Sequence, residues 1–134
     1  MGRGKVVELE CLNNNVLKNT YALSCVKEEF QKAVNEKWRQ SPPWERYQKK
    51  LIGNLAILED YKEQAITLVQ FEKLTGVDNL YSIRYPKAKK NIRVIYTIYG
   101  DSIILLKAFL EKSDSDYQRA IKISKERLKQ LIND

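Results

Sequence analysis

Histidine is missing altogether from this chain of 134 residues, and that absence removes whole classes of chemistry. No Ser-His-Asp or Cys-His pair is possible, and neither is an imidazole acid or base or a His-ligated metal. The five glycines are scattered, so no Gly-rich phosphate loop is present. Cysteine is limited to Cys11 and Cys25, without metal-ligand spacing. The two thiols read as reduced, small hydrophobes. The chain also lacks a signal-like apolar segment and any long uncharged apolar run, so the expected protein is cytoplasmic and avoids membranes. Any chemistry must come from Arg, Lys, Tyr, Ser and carboxylates, with no cofactor and no metal expected.

What is present is a globular composition, 43% hydrophobic and 31% charged, in a length that suits a single domain over residues 1–134. The formal charge is +7, and it is unevenly spread. Residues 1–83 hold 12 basic and 11 acidic side chains, whereas residues 84–134 hold 12 basic and 6 acidic. A local basic excess is the electrostatic footprint expected for nucleic acid, and equally that of a solvated surface or a dock for an acidic protein.

The segment Leu80 to Tyr117 carries the clearest pattern. Three strands are predicted near residues 80–85, 92–99 and 103–110, from alternation of apolar and polar side chains. If Pro86 to Asn91 is the whole first connection, Arg84 lies directly opposite Arg93. Like charges paired across strands are unfavourable, so an anion between them is the expected remedy. If Gly100-Asp101-Ser102 is a three-residue turn, Tyr99 faces Ile103, and Lys107 and Phe109 join the Arg93 face. A face bearing Arg84, Arg93, Lys107 and Phe109 reads as a phosphate-and-base surface, open to solvent, with the helices on the opposite Val94/Leu106 face.

Before these strands, Lys5–Glu10 and Thr20–Leu23 are weak strand candidates, separated by the turn Asn13-Asn14-Asn15. A helix is predicted from a Ser24 N-cap to about Arg39, ended by Pro42-Pro43. A second runs from Trp44 to about Asp60, with Trp44, Tyr47, Leu51, Leu55 and Leu58 on one stripe. Glu63 to Leu74 is ambiguous, and Gly76 to Asn79 is a break. The last helix has a capping-box-like start, Ser113 followed three residues on by Asp116. Tyr117, Ala120, Ile121, Ser124, Leu128, Leu131 and Ile132 form its apolar stripe. Lys122, Lys125 and Lys129 lie opposite, which as a bland reading is a solvated face.

The run KLTGVDNLYSIRYPKAKKNIRVIYTIYGDSIILLKAFLEKSDSDYQRAIKISKERLKQL resembles the RelE/ParE superfamily of toxin–antitoxin toxins. It is most similar to the HigB-like, phage-derived branch. The resemblance rests on four elements in order: Leu80-Tyr-Ser-Ile-Arg84, Arg93-Val-Ile-Tyr96, Ile104-Leu-Leu-Lys-Ala-Phe109 with Lys112, and the basic helix from Ala120. It covers roughly the C-terminal half, and the first 20 or so residues are unplaced. It implies an α+β fold of RelE type, a small antiparallel sheet with two N-terminal helices and a C-terminal helix on one face. The other face would be concave and basic and would bind mRNA.

The implied activity is a ribosome-dependent mRNA endonuclease, the toxin of a type II toxin–antitoxin system. Attack of a 2′-hydroxyl on its own 3′-phosphate needs no metal. On this resemblance the catalytic candidates are Arg84, Arg93, Lys112 and Tyr117. The RNA-binding candidates are Lys87, Lys89, Lys90, Lys107 and Phe109. HigB-like enzymes often carry histidines at the site, and without them proton transfer would fall to Lys or Tyr. Implied partners are a cognate antitoxin with a helix-turn-helix, mRNA and the ribosome. Two further readings stay open: a non-enzymatic, ParE-like inhibitor that binds a protein such as gyrase, and a degenerate phage-derived binding protein.

Overall fold

A computed structural model describes residues 8–38, 40–85 and 91–133. The chain is α+β. Two short strands, β1 (Leu9–Cys11) and β2 (Thr20–Leu23), precede α1 (Val26–Lys37) and α2 (Trp44–Tyr61). A 3-10 turn over Lys62–Thr67 leads to β3 (Phe71–Lys73), β4 (Tyr81–Arg84), β5 (Asn91–Tyr99), β6 (Ser102–Glu111) and finally α3 (Asp114–Asn133). The predicted strands and helices are therefore present to within a residue or two at most ends. The ambiguous segment before Leu74 resolves into the 3-10 turn and β3. The Ser24 cap is not used: Cys25 takes the N-cap position of α1, with no side-chain hydrogen bond.

The sheet is larger than the three antiparallel strands expected, and it is mixed. Six strands run in the order β1-β2-β6-β5-β4-β3, and β2 pairs with β6 in parallel while every other pair is antiparallel. The parallel pair arises because α1 and α2 carry the chain away between β2 and the central strands. Glu59 of α2 holds this edge in place, accepting hydrogen bonds from Lys18 N (2.9 Å), Asn19 N (2.6 Å) and Thr20 Oγ1 (2.5 Å).

Arg84 does pair directly with Arg93. The β5–β6 turn differs from expectation, however. Tyr99 pairs with Ser102, so only Gly100 and Asp101 lie in the loop, with Gly100 at a φ of 60°. A positive φ at the first loop position suits glycine and the type II′ hairpin turn. From that turn alone, Lys107 would oppose Val94. The register instead shifts between Ile95 and Tyr96: Tyr96 pairs with Leu105, Ile95 with Lys107 and Arg93 with Phe109. Leu106 is the extra residue of a β-bulge, and it returns Lys107 and Phe109 to the Arg93 face. The predicted facing is right, but its cause is a two-residue turn plus a bulge.

The expectation that all three helices share one face is overturned. Tyr85 follows Arg84 and so points to the opposite side of the sheet. Its ring lies 6.2 Å from that of Phe30 in α1 and 5.3 Å, stacked, from that of Tyr47 in α2. Thus α1 and α2 cover the Tyr85/Val94 face. Helix α3 lies on the other side, its Tyr117 ring 5.9 Å from Phe109 and 4.4 Å below the Arg93 guanidinium. The supposedly open basic face is a second packed layer. This explains why Ile92 to Ile98 are buried without alternation. Ile95, Thr97 and Ile104 lie on that face and are buried, where an open polar face has no use for them.

The start of α3 is as the sequence predicts. Asp116 Oδ2 accepts from Lys112 N (3.0 Å), Ser113 N (3.1 Å) and Ser113 Oγ (3.3 Å), the carboxylate half of a capping box. Deleting Leu106 joins Leu105, opposite Tyr96, directly to Lys107, opposite Ile95, so the facing should be kept, while loss of a buried side chain and of the Arg127 contact to Leu106 O should lower denaturant stability by about 2–5 kcal/mol. Gly100→Ala, which only strains the turn, should cost about 1 kcal/mol. Loss of cooperative unfolding in the Leu106-deleted protein, followed by circular dichroism, would show that the strands do not close up across the deletion and that Leu106 is not simply an extra residue.

Candidate active site

Arg93 is the hub of the sheet face on the α3 side, near the start of β5 and only 8% exposed. Its Nη1 donates to Glu72 Oε1 of β3 at 3.0 Å, to Ser82 Oγ of β4 at 3.2 Å and to Tyr117 OH of α3 at 3.4 Å. Its Nε donates to Glu111 Oε1 at the end of β6. Burial works against the guanidinium's charge, but Glu111, Tyr117 and Glu72 outweigh it and raise the pKa of Arg93. The counter-charge for Arg93 is thus supplied by the protein's own carboxylates, which do not bridge to Arg84 among the contacts of the described residues. Arg84 is turned outward by comparison: half-buried, its Nε donates to Val69 O at 2.9 Å.

Tyr117 closes the group from above. Its hydroxyl donates to Glu72 Oε1 at 3.0 Å. Burial is the largest influence on the phenol; against the hydrogen bond with Ser82 and the charge of Arg93, it pushes the pKa up to about 12. Tyr117 therefore keeps its proton at neutral pH and holds it in the hydrogen bond to Glu72. The Glu72 side chain, 42% exposed, is the opening of the cluster to solvent. Glu72, Arg93 and Tyr117 together make a carboxylate, a cation and a protonated phenol in one hydrogen-bonded set.

Sequence reasoning missed Glu72 because β3 lies in the segment that it left ambiguous. The pairing of Glu72 with Ser82, and of Arg84 with Arg93, puts all four on one face. Alternation in Phe71-Glu72-Lys73 was the available signal, but three residues are too few to read.

The other candidates are distributed differently. Phe109 is half-buried against Tyr117. Lys107 belongs to a second cluster, where Glu29 of α1 takes its Nζ at 3.1 Å. Glu29 also accepts Ala108 N at 3.1 Å and a bidentate pair from Arg127 of α3, at 3.1 and 2.8 Å. Lys112 is exposed, 2.9 Å from Glu36. Arg84, Arg93 and Lys107 therefore share a face but do not form an open concave patch. Lys87, Lys89 and Lys90 lie outside the described residues. Among the described residues, no cluster of three or more Cys, Asp and Glu side chains is arranged to hold a metal ion. No helix among them is long and apolar enough to cross a membrane.

Residues 36–129, from the end of α1 through most of α3, match the family of phage-derived Gp49-like proteins (DUF891). The chain belongs to that family. Gp49-like proteins are in general RelE/ParE-like toxins, so the resemblance read from the central strands holds at that level. The matched span takes in α2 and β3 as well, and with them Glu72. No curated protein and no solved structure matches the Gp49-like chain significantly.

Two outcomes follow from the ion pairs. Arg93→Ala leaves Glu111 and Glu72 without their cation. Because Glu72 is partly open to water, the loss in denaturant stability should fall toward the lower end of about 3–5 kcal/mol. Glu29 has its own pH signature: burial tends to raise its pKa, but the Arg127 hydrogen bond, the Ala108 N–H and the charges of Lys107 and Arg127 together lower it. A folded carboxyl that binds its proton more weakly than the unfolded one stabilises the protein above its ordinary pKa, and that stability is lost as pH falls through the folded value. Unfolding midpoints at neutral pH and near pH 3 should therefore differ less in Glu29→Gln than in the parent.

Proposed function

We propose that this Gp49-like protein is the toxin of a type II toxin–antitoxin system, of the HigB-like branch, and that it cleaves mRNA on the ribosome. The observation that carries the reading is the Glu72–Arg93–Tyr117 set, with Arg84 beside it on the same sheet face. These groups match the needs of phosphodiester cleavage by an internal hydroxyl. Glu72 takes the proton of the attacking 2′-hydroxyl as its oxygen bonds to the adjacent phosphorus. Arg84 contacts the phosphate oxygens, and Arg93 supports the charge that builds on them. Tyr117 gives its proton to the departing 5′-oxygen, leaving a 2′,3′-cyclic phosphate. Tyr117 regains a proton from Glu72 along their 3.0 Å hydrogen bond, so the site returns to its starting state.

In this mechanism the carboxylate replaces the missing imidazole as base, and neither Lys nor a metal enters. Lys112, with Lys87, Lys89 and Lys90 between β4 and β5 in sequence, holds the RNA backbone outside the reacting groups. An antitoxin with a helix-turn-helix and the ribosome are the partners of this reading. A second reading, a non-enzymatic binder of a protein such as gyrase, is favoured by the neutralisation of Arg93 within the protein.

Single-turnover mRNA cleavage on ribosomes separates the two. Glu72→Gln and Tyr117→Phe should each slow cleavage by about 10²–10⁴ as losses of proton transfer. Arg84→Ala should slow it by about 10²–10³ as the loss of a charge contact. Growth arrest without new mRNA 5′ ends, unaltered by Glu72→Gln, would reject the nuclease in favour of the binder.

A further inference from the structure

On the sheet face opposite Arg93, the end of α1 and the first half of α2 enclose a small cleft of about 120 Å³. Lys37, Arg46, Tyr47, Lys50 and Tyr85 line it, three cations and two phenols with no acidic side chain. The floor is rigid. Tyr47 and Tyr85 are buried and their rings stack 5.3 Å apart. Lys37 Nζ is held 5.7 Å from the centre of the Tyr47 ring. Tyr47 OH accepts a hydrogen bond from Trp38 Nε1 at 2.9 Å, which leaves its own proton to donate.

Arg93, Lys107, Lys112, Arg119 and Arg127 each pair with a carboxylate. Among the described residues none pairs with Lys37, Arg46 or Lys50. Helix stability does not explain the arrangement either. Arg46 sits in the first turn of α2, where the helix dipole disfavours a positive charge. Arg46 and Lys50 are an i, i+4 pair of like charge, a destabilising spacing. Like charges gathered over a preformed aromatic floor, without a counter-charge, are arranged for an anion from outside.

We propose that this cleft binds a phosphate group, with Arg46 as the forked donor, Lys37 and Lys50 as the flanking charges, and the Tyr47 hydroxyl as the neutral donor. The cleft suits one phosphate rather than a whole nucleotide, so the group is a free phosphate or phosphomonoester, or one diester of a polynucleotide. The site is separate from the Glu72–Arg93–Tyr117 set and does not rest on the nuclease reading.

The test is an NMR titration of the full chain with inorganic phosphate, against chloride at matched ionic strength. Phosphate should give saturable shifts of the Tyr47 and Tyr85 ring signals that chloride does not. In the Arg46→Gln/Lys50→Gln double variant, half-saturation should rise by about tenfold or more. Thermal unfolding confirms that the variant is folded. Equal shifts with chloride, or undiminished phosphate binding by the folded double variant, would overturn the proposal. Competition by a 5′-hydroxyl oligonucleotide, lost in the double variant, identifies a polynucleotide backbone as the source. Phosphate binding without such competition identifies a free phosphate or monoester. Glu72→Gln should bind phosphate like the parent, so a failed cleavage mechanism leaves this result standing.

Discussion

The bulge at Leu106 is the constraint on which the rest of the structure depends. A two-residue turn alone would send Lys107 into the apolar layer between the sheet and α1 and α2. One extra residue in β6 reverses that and aligns Phe109 with Arg93. A bulge leaves backbone groups without ladder partners, and two charged side chains meet them. Arg127 of α3 donates to Leu106 O at 2.7 Å, while Glu29 of α1 accepts Ala108 N. Because Glu29 and Arg127 also bind each other, the two helices are fastened to β6 and to one another at the point where the strand is irregular. Register, helix placement and the composition of the Arg93 face are therefore one coupled feature.

That coupling explains the character of the candidate active site. With α3 laid over the sheet, Arg93 is withdrawn from water and has to be neutralised from within. Glu111, the last residue of β6, and Glu72, in the short β3, provide the charge. A desolvated guanidinium between two carboxylates and against a phenol is held in one orientation. It organises the groups around it more than it attracts ligand from solution. The half-exposed Glu72 and Arg84 are left as the groups that meet solvent. In a Gp49-like protein, whose family is of RelE/ParE-like toxin type, such an arrangement places a carboxylate, a phenol and a cation together without histidine.

The two faces of the sheet treat charge in opposite ways. On the α3 side the half-buried or buried cations Arg93, Lys107 and Arg127 are matched by Glu72, Glu111 and Glu29. At the edge of the α1–α2 side, Lys37, Arg46 and Lys50 surround a tyrosine floor without a carboxylate. The net positive charge of the chain therefore understates the difference between a neutralised interior and a locally basic rim.

By itself the sequence determined what depends on near neighbours. Alternation marked β4, β5 and β6, helical spacing marked α2 and α3, and Ser113 with Asp116 marked the start of α3. The lengths of the connections put Arg84 opposite Arg93. Only the tertiary structure decided which faces were covered. Burial of Ile95, Thr97 and Ile104 signalled a second packed face, yet in sequence an apolar residue on a cationic face looks the same whether a helix lies above it or not. The partners of Arg93 come from 11 to 24 residues away, and that of Lys107 from 78. Such contacts follow from how α3 and α1 dock on an irregular β6, which no local periodicity encodes. Charge pairing is long-range and orientation-dependent, so the count of cations was legible in the sequence while their neutralisation was not.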